Sequence, residues 1–80
     1  MRNTRAAHIQ KMVSRLNRSQ TEKLALILAH FPERNLFVFR SLMAGHKQGE
    51  IASALGVSQP MVSRIINQTI QALGEVIQCG

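Results

Sequence analysis

Gln59, Ser63, Arg64 and Asn67 are the side chains of this sequence best placed to do chemistry, because their spacing puts them along one helical face. That chemistry is hydrogen bonding to base edges. A glutamine amide can pair bidentately with adenine N6 and N7, and an arginine fork with guanine O6 and N7. Gln59 falls in the first turn of the helix, and Arg64 is the helix's only cation. A phosphate contact is the alternative role for Arg64, since most protein–DNA hydrogen bonds go to the backbone. Pro60 and Met61 could touch a thymine methyl, or simply start the helix. Catalysis finds no comparable set: the sequence holds no paired carboxylates, no activated nucleophile and no phosphate-binding glycine loop, so it does not read as an enzyme. His8, His30 and His46 lack metal-ligand spacing, and neither a metal nor a cofactor is expected.

A reading helix must be held by something. The stretch "EIASALGVSQPMVSRIIN", residues 50–67, has the layout of a helix-turn-helix. Ala52 is the small residue where two helices touch. Gly56, four positions on, supplies a turn residue that tolerates positive φ. Ile51, Leu55, Val57, Val62 and Ile65 clamp the helices together, and Ser58 caps the second. A plain helical hairpin with a glycine C-cap explains Gly56 and Ser58 equally well. It does not explain an amide-rich outer face on a strongly basic chain. Lys47 and Gln48 open the first helix of the pair, whose N-terminus is a natural phosphate seat. Ser58 is assigned to phosphate contact as well.

Composition points the same way. Eighty residues make one domain, 1–80, with a formal net charge of +6 and four acidic residues. That balance suits a polyanion, nucleic acid before a membrane surface. The charge is concentrated in a basic N-terminal segment, 1–18, where Arg2, Arg5, Lys11, Arg15 and Arg18 all precede the first acid, Glu22. Lys11, Arg15 and Arg18 read as a phosphate-contacting stripe, since the chain needs positive charge to bind DNA tightly, with a solvated face as the alternative. Arg2 and Arg5 read as an unstructured tail, with a minor-groove arm as the alternative. No apolar run follows the basic start, so no signal peptide is expected, and no segment approaches a membrane span. One cysteine, Cys79, fits a reducing cytosol. The expected location is the cytoplasm of a bacterium, on the nucleoid.

The pattern predicts an all-α fold of about five helices. The first runs from Arg5 to Leu16, with Ile9, Met12, Val13 and Leu16 on one face. Ser19 and Glu22 read as a capping box for the second, which ends near His30. Pro32 suits the first turn of the third, and Gly45 its C′ position. Leucines and the three phenylalanines, Phe31, Phe37 and Phe39, read as the core. The fourth covers Gln48 to Leu55 and the fifth Gln59 to about Ile77; the helix-turn-helix proper is 47–67.

The segment "FPERNLFVFRSLMAGHKQGEIASALGVSQPMVSRIINQTIQAL", Phe31 to Leu73, resembles the minus-35-recognition domain of bacterial sigma factors. It is similar also to the DNA-binding domain of quorum-sensing-type response regulators. Pro32-Glu33-Arg34, Glu50-Ile51-Ala52 and Leu55-Gly56-Val57-Ser58 carry the likeness, over about half the chain. The resemblance implies that the second helix of the motif enters the major groove. It differs in having Ile65 and Gln68 where those families carry basic residues. A small free-standing regulator, of the kind carried by phages and plasmids, is the expectation.

The fifth helix is too apolar for one task. Val62, Ile65, Thr69, Leu73 and Val76 can face the domain's own core, while Ile66, Ile70 and Ile77 form a neighbouring stripe. Its cover is either the N-terminal helix or a second copy; the expectation is a homodimer using Ile66, Ile70, Leu73 and Ile77, since such proteins commonly read two half-sites. The function expected is a sequence-specific double-stranded DNA-binding regulator, a repressor acting by promoter occlusion. The alternative is a protein that contacts RNA polymerase or its sigma subunit.

Overall fold

The helix boundaries inside this chain fall where backbone hydrogen-bonding groups find local partners. The computed structural model describes residues 4–79. Among them are five α-helices: α1 (Thr4–Ser14), α2 (Arg18–Ala29), α3 (Glu33–Met43), α4 (Gln48–Leu55) and α5 (Gln59–Cys79). The all-α architecture of five helices is the one expected.

Three of the boundaries differ from the sequence reading for a physical reason. Asn17, not Ser19, caps α2. Its Oδ1 accepts from the Gln20 N–H at 2.8 Å, and Gln20 Oε1 accepts from the Asn17 N–H at 2.9 Å. This is the reciprocal pair of a capping box, built from an amide and an amide rather than from serine and glutamate. Ser19 and Glu22 therefore lie inside the helix, where Glu22 sits 3.9 Å from Arg18 one turn away. Pro32 is the N-cap of α3 rather than a first-turn residue. Its ψ of 150° is non-helical, and its carbonyl accepts from the Leu36 N–H at 3.1 Å. At the other end, α1 stops at Ser14, two residues early, through tightened bonds from Arg15 N–H to Met12 O and Leu16 N–H to Val13 O.

The glycine stops are as expected. Gly45 and Gly56 have φ of 89° and 70°, and each closes a Schellman motif. After α4 the Val57 N–H reaches Ala52 O at 3.0 Å and the Gly56 N–H reaches Ser53 O at 3.3 Å. After α3 the His46 N–H reaches Ser41 O at 3.0 Å and the Gly45 N–H reaches Leu42 O at 3.0 Å. Both turns need a left-handed residue, and glycine meets that requirement without a Cβ penalty.

The core is aliphatic. Ile9, Val38, Leu42, Ile51, Val62, Ile65, Ile66, Leu73 and Val76 are fully buried. The phenylalanines are not its centre: Phe37 is 42% exposed, and Phe31 and Phe39 are only half-buried. The buried face of α3 is Asn35, Val38 and Leu42, and Phe37 points away from it. Asn35 is tolerated inside because its Nδ2 donates to Gln68 Oε1 of α5 at 3.2 Å. Thr69 likewise turns its hydroxyl onto the Ile65 carbonyl at 3.0 Å. Helix α5 packs against all four others, and α1 is tied to the end of α3 by Gln10, whose Nε2 donates to Leu42 O at 2.9 Å.

Gly56→Val should lower stability by about 1–3 kcal/mol, because a β-branched residue is strained at positive φ. A Cβ at position 56 would meet nothing within 4 Å, so the loss would be conformational rather than steric. Gly56→Asn, which tolerates the left-handed region better, should lose less. Thermal melts of both variants check this, and an unchanged melting temperature for the valine variant would contradict it.

Candidate nucleic-acid interface

The turn at Gly56 carries the chain from α4 into α5 over two residues, Val57 and Ser58. Val57 is half-buried against the core and Ser58 is exposed. The Ser58 hydroxyl accepts weakly from the Met61 N–H at 3.4 Å, as an N-cap does. The two helix starts adjoin: the Gln59 amide lies 3.5 Å from where a Cβ on Gly49 would stand. A Cβ at position 49 would therefore meet Gln59 in ordinary van der Waals contact.

Beyond that point α5 divides into faces. Gln59, Pro60, Arg64 and Asn67 are exposed, and Ser63 is half-buried. Val62, Ile65, Ile66 and Thr69 are turned inward. The five residues read as base contacts therefore do share one accessible surface at the N-terminal end of the helix.

The structure adds a sixth residue to that surface. Arg5 of α1 lies against α5, where its Nη1 donates to Ser63 Oγ at 2.6 Å and its Nη2 donates to Asn67 Oδ1. Arg5 is thus neither tail nor minor-groove arm: it belongs to a helix, half-buried, and joins the candidate reading face. Arg2 lies outside the described residues. No local signal points to Arg5, because its partners are 58 and 62 positions away.

The phosphate candidates are dispersed. Lys11 and Arg15 border a groove with His8, Met12, Leu16, Gln20 and Ile77, at the far end of α5. Ile77 is ten residues past Asn67, so this groove is about 15 Å farther along the helix. Arg18 does not join them. It is the first residue of α2, nearly fully exposed, beside Glu22. Lys47 is exposed ahead of α4, and Gln48 is half-buried at its first position. The Glu50 carboxylate already caps that helix, accepting from the Lys47 N–H at 2.9 Å, and it lies 3.9 Å from His46. A phosphate arriving at this N-terminus would meet that carboxylate.

The residues assigned to self-association also divide. Ile66 and Leu73 are completely buried within the chain, against helices of the same molecule, and offer nothing to a second copy. The apolar arc of α5 is wide because its own domain surrounds it. Ile70 is half-buried, and Ile77 is 42% exposed. The larger apolar exposure is Leu26 of α2, beside Lys23, Glu75 and Val76.

No helix of the described residues is long and apolar enough to cross a membrane. No family model, curated protein or solved structure matches the chain.

Ile66→Asp should unfold the protein, since a buried unpaired carboxylate costs several kcal/mol against a small total stability. Ile77→Asp should cost no more than about 1 kcal/mol. Circular-dichroism melts distinguish the two positions; equal and small effects would mean that Ile66 is not enclosed.

Proposed function

We propose that this chain is a sequence-specific double-stranded DNA-binding transcriptional regulator, acting as a repressor by occluding promoters. One observation supports this most: the glycine turn sets the first turns of α5 at the surface with Gln59, Pro60, Arg64 and Asn67 exposed, while Val62, Ile65, Ile66, Leu73 and Val76 anchor the helix in the core. A helix held that way can enter a major groove without unfolding anything. Amide, hydroxyl and guanidinium groups are the ones that read base edges. The net charge of +6 supplies the attraction for phosphates. Lys11, Arg15 and Lys47, all exposed, are the candidates for that role, with the Gln48 and Ser58 positions next to the reading face. Repression needs only occupancy of a site.

On this reading the protein works as a homodimer on two half-sites. The interface would use the exposed side chains Ile77 and Leu26 rather than Ile66 and Leu73. Its setting would be the cytoplasm of a bacterium, on a phage or plasmid gene.

A second reading rests on α3. Phe37 is exposed there between Arg34 and Arg40, in a groove that also includes Glu33, Leu36 and Leu55. An apolar side chain flanked by acids would fit it, so a contact with RNA polymerase or its sigma subunit is the alternative. Pull-down of polymerase by a protein that retards no DNA would favour this second reading.

Gel retardation with excess nonspecific competitor tests the first reading: a specific complex should survive the competitor. Arg64→Ala should then lose discrimination between operator and scrambled duplex, by the ~1–3 kcal/mol of one base contact. Lys11→Ala with Arg15→Ala should weaken binding to every duplex alike. It should also flatten the slope of log affinity against log salt by about 1 for each phosphate that the variant no longer grips. A full salt slope in the double variant would mean that these two residues are merely solvated.

A further inference from the structure

The contact between Arg5 and α5 constrains what Asn67 can read. An arginine fork has five N–H donors and no acceptor. Asn67 must therefore present its carbonyl oxygen, and the structure has Arg5 Nη2 donating to Oδ1. Ser63 accepts from Nη1 at 2.6 Å. Each oxygen has one lone pair engaged by the guanidinium and keeps a second. The junction nonetheless gathers the N–H groups of the fork, the Asn67 NH₂ group and the Ser63 O–H into one cationic, donor-rich patch.

A free asparagine behaves differently. It pairs with adenine by accepting from N6 and donating to N7. With Oδ1 already accepting from Arg5, an adenine N6 amino group would have to share that oxygen with a cationic donor. Guanine offers only acceptors, O6 and N7, on its major-groove edge, whereas adenine offers one acceptor and one donor. An adenine N6 amino group brought to this patch would compete with the guanidinium for the same oxygens and face its positive charge, whereas guanine O6 and N7 would be attracted by it.

We propose that Arg5 is a specificity-determining residue: by holding the Asn67 oxygen and the Ser63 hydroxyl beside its own N–H groups, it makes the α1–α5 junction a cationic, donor-rich patch that favours guanine over adenine. The proposal rests on the DNA-binding reading above. Arg5 acts on specificity through Asn67 and Ser63, so a residue 58 positions from its nearer partner decides which purine the helix accepts.

The test is selection from a randomised duplex pool with the wild type, Arg5→Met, Asn67→Ala and the double variant. Methionine keeps an apolar stem of similar length for packing and removes the donors. Circular dichroism confirms that each variant is folded. The wild type should enrich guanine at one position of the half-site. In Arg5→Met the preference of guanine over adenine there should fall about ten- to a hundredfold, the range of one bidentate base contact. Asn67→Ala, which creates no acceptor, should not admit adenine, and the double variant should lose the adenine tolerance gained by Arg5→Met. If Arg5→Met were too unstable, Asn67→Asp would serve, since its carboxylate retains accepting oxygen beside the fork and should admit adenine or cytosine amino groups.

Three results would overturn the proposal: an unchanged base profile in Arg5→Met, a uniform loss of affinity that marks Arg5 as a phosphate contact, or adenine tolerance that survives in the double variant. The contact itself is checked without DNA, by the shift of the Asn67 side-chain amide resonance between wild type and Arg5→Met. A wild type that shows this shift and selects no sequence would sink the DNA-binding reading and the specificity role with it, while leaving the contact in place.

Discussion

The burial of α5 is the constraint from which the rest of this structure follows. It is a 21-residue helix packed against each of the other four, and six of its side chains, from Val62 to Val76, are fully enclosed. A helix engaged on so wide an arc keeps only a narrow outer face. That face runs the length of α5, through Gln68, Gln71 and Glu75 as well as the residues just past the glycine turn. The side of α5 left to the candidate interface is thus a consequence of packing. The same burial removes Ile66 and Leu73 from any role at a second molecule's surface.

Polar groups complete this arrangement. Asn35 and Thr69 are the two buried polar residues among those described, and each has an internal partner. The Asn35–Gln68 bond links α3 to α5 near the level of Asn67, and Gln10 links α1 to the end of α3. Unlike apolar contacts, these bonds have direction, so they specify register as well as attraction. Helix α1 is thereby held at both flanks, by Gln10 on α3 and by Arg5 on α5.

Local signals in the sequence were enough for the turn at the centre of the molecule. Gly56, Ser58 and the limits of α4 follow from conformational preference and capping, which act over four or five residues. They were not enough where two local solutions compete. Asn17–Gln20 and Ser19–Glu22 are both plausible caps, and the choice between them moves Arg18 from one helix to the next. Nor does hydrophobicity alone orient α3, which is apolar around much of its circumference. Phe37 is more apolar than Asn35, yet Asn35 is inside because Gln68 waits there. The contribution of Arg5 was beyond reach for a simpler reason: a contact across 58 positions leaves no mark in either neighbourhood.

That long span has a kinetic side. The α3–α4–α5 unit is built from neighbours in the chain, and such contacts close early and cheaply in folding. Docking of α1 closes a far longer loop. Terminal elements are also the first to open when a domain fluctuates. The glycine turn and the outer face of α5 belong to the local unit, whereas the Arg5 clasp exists only while the N-terminal helix is seated. Warming the protein would therefore release the clasp before it melts the turn, and on the proposed reading the breadth of sequences accepted would rise with temperature well below the unfolding transition.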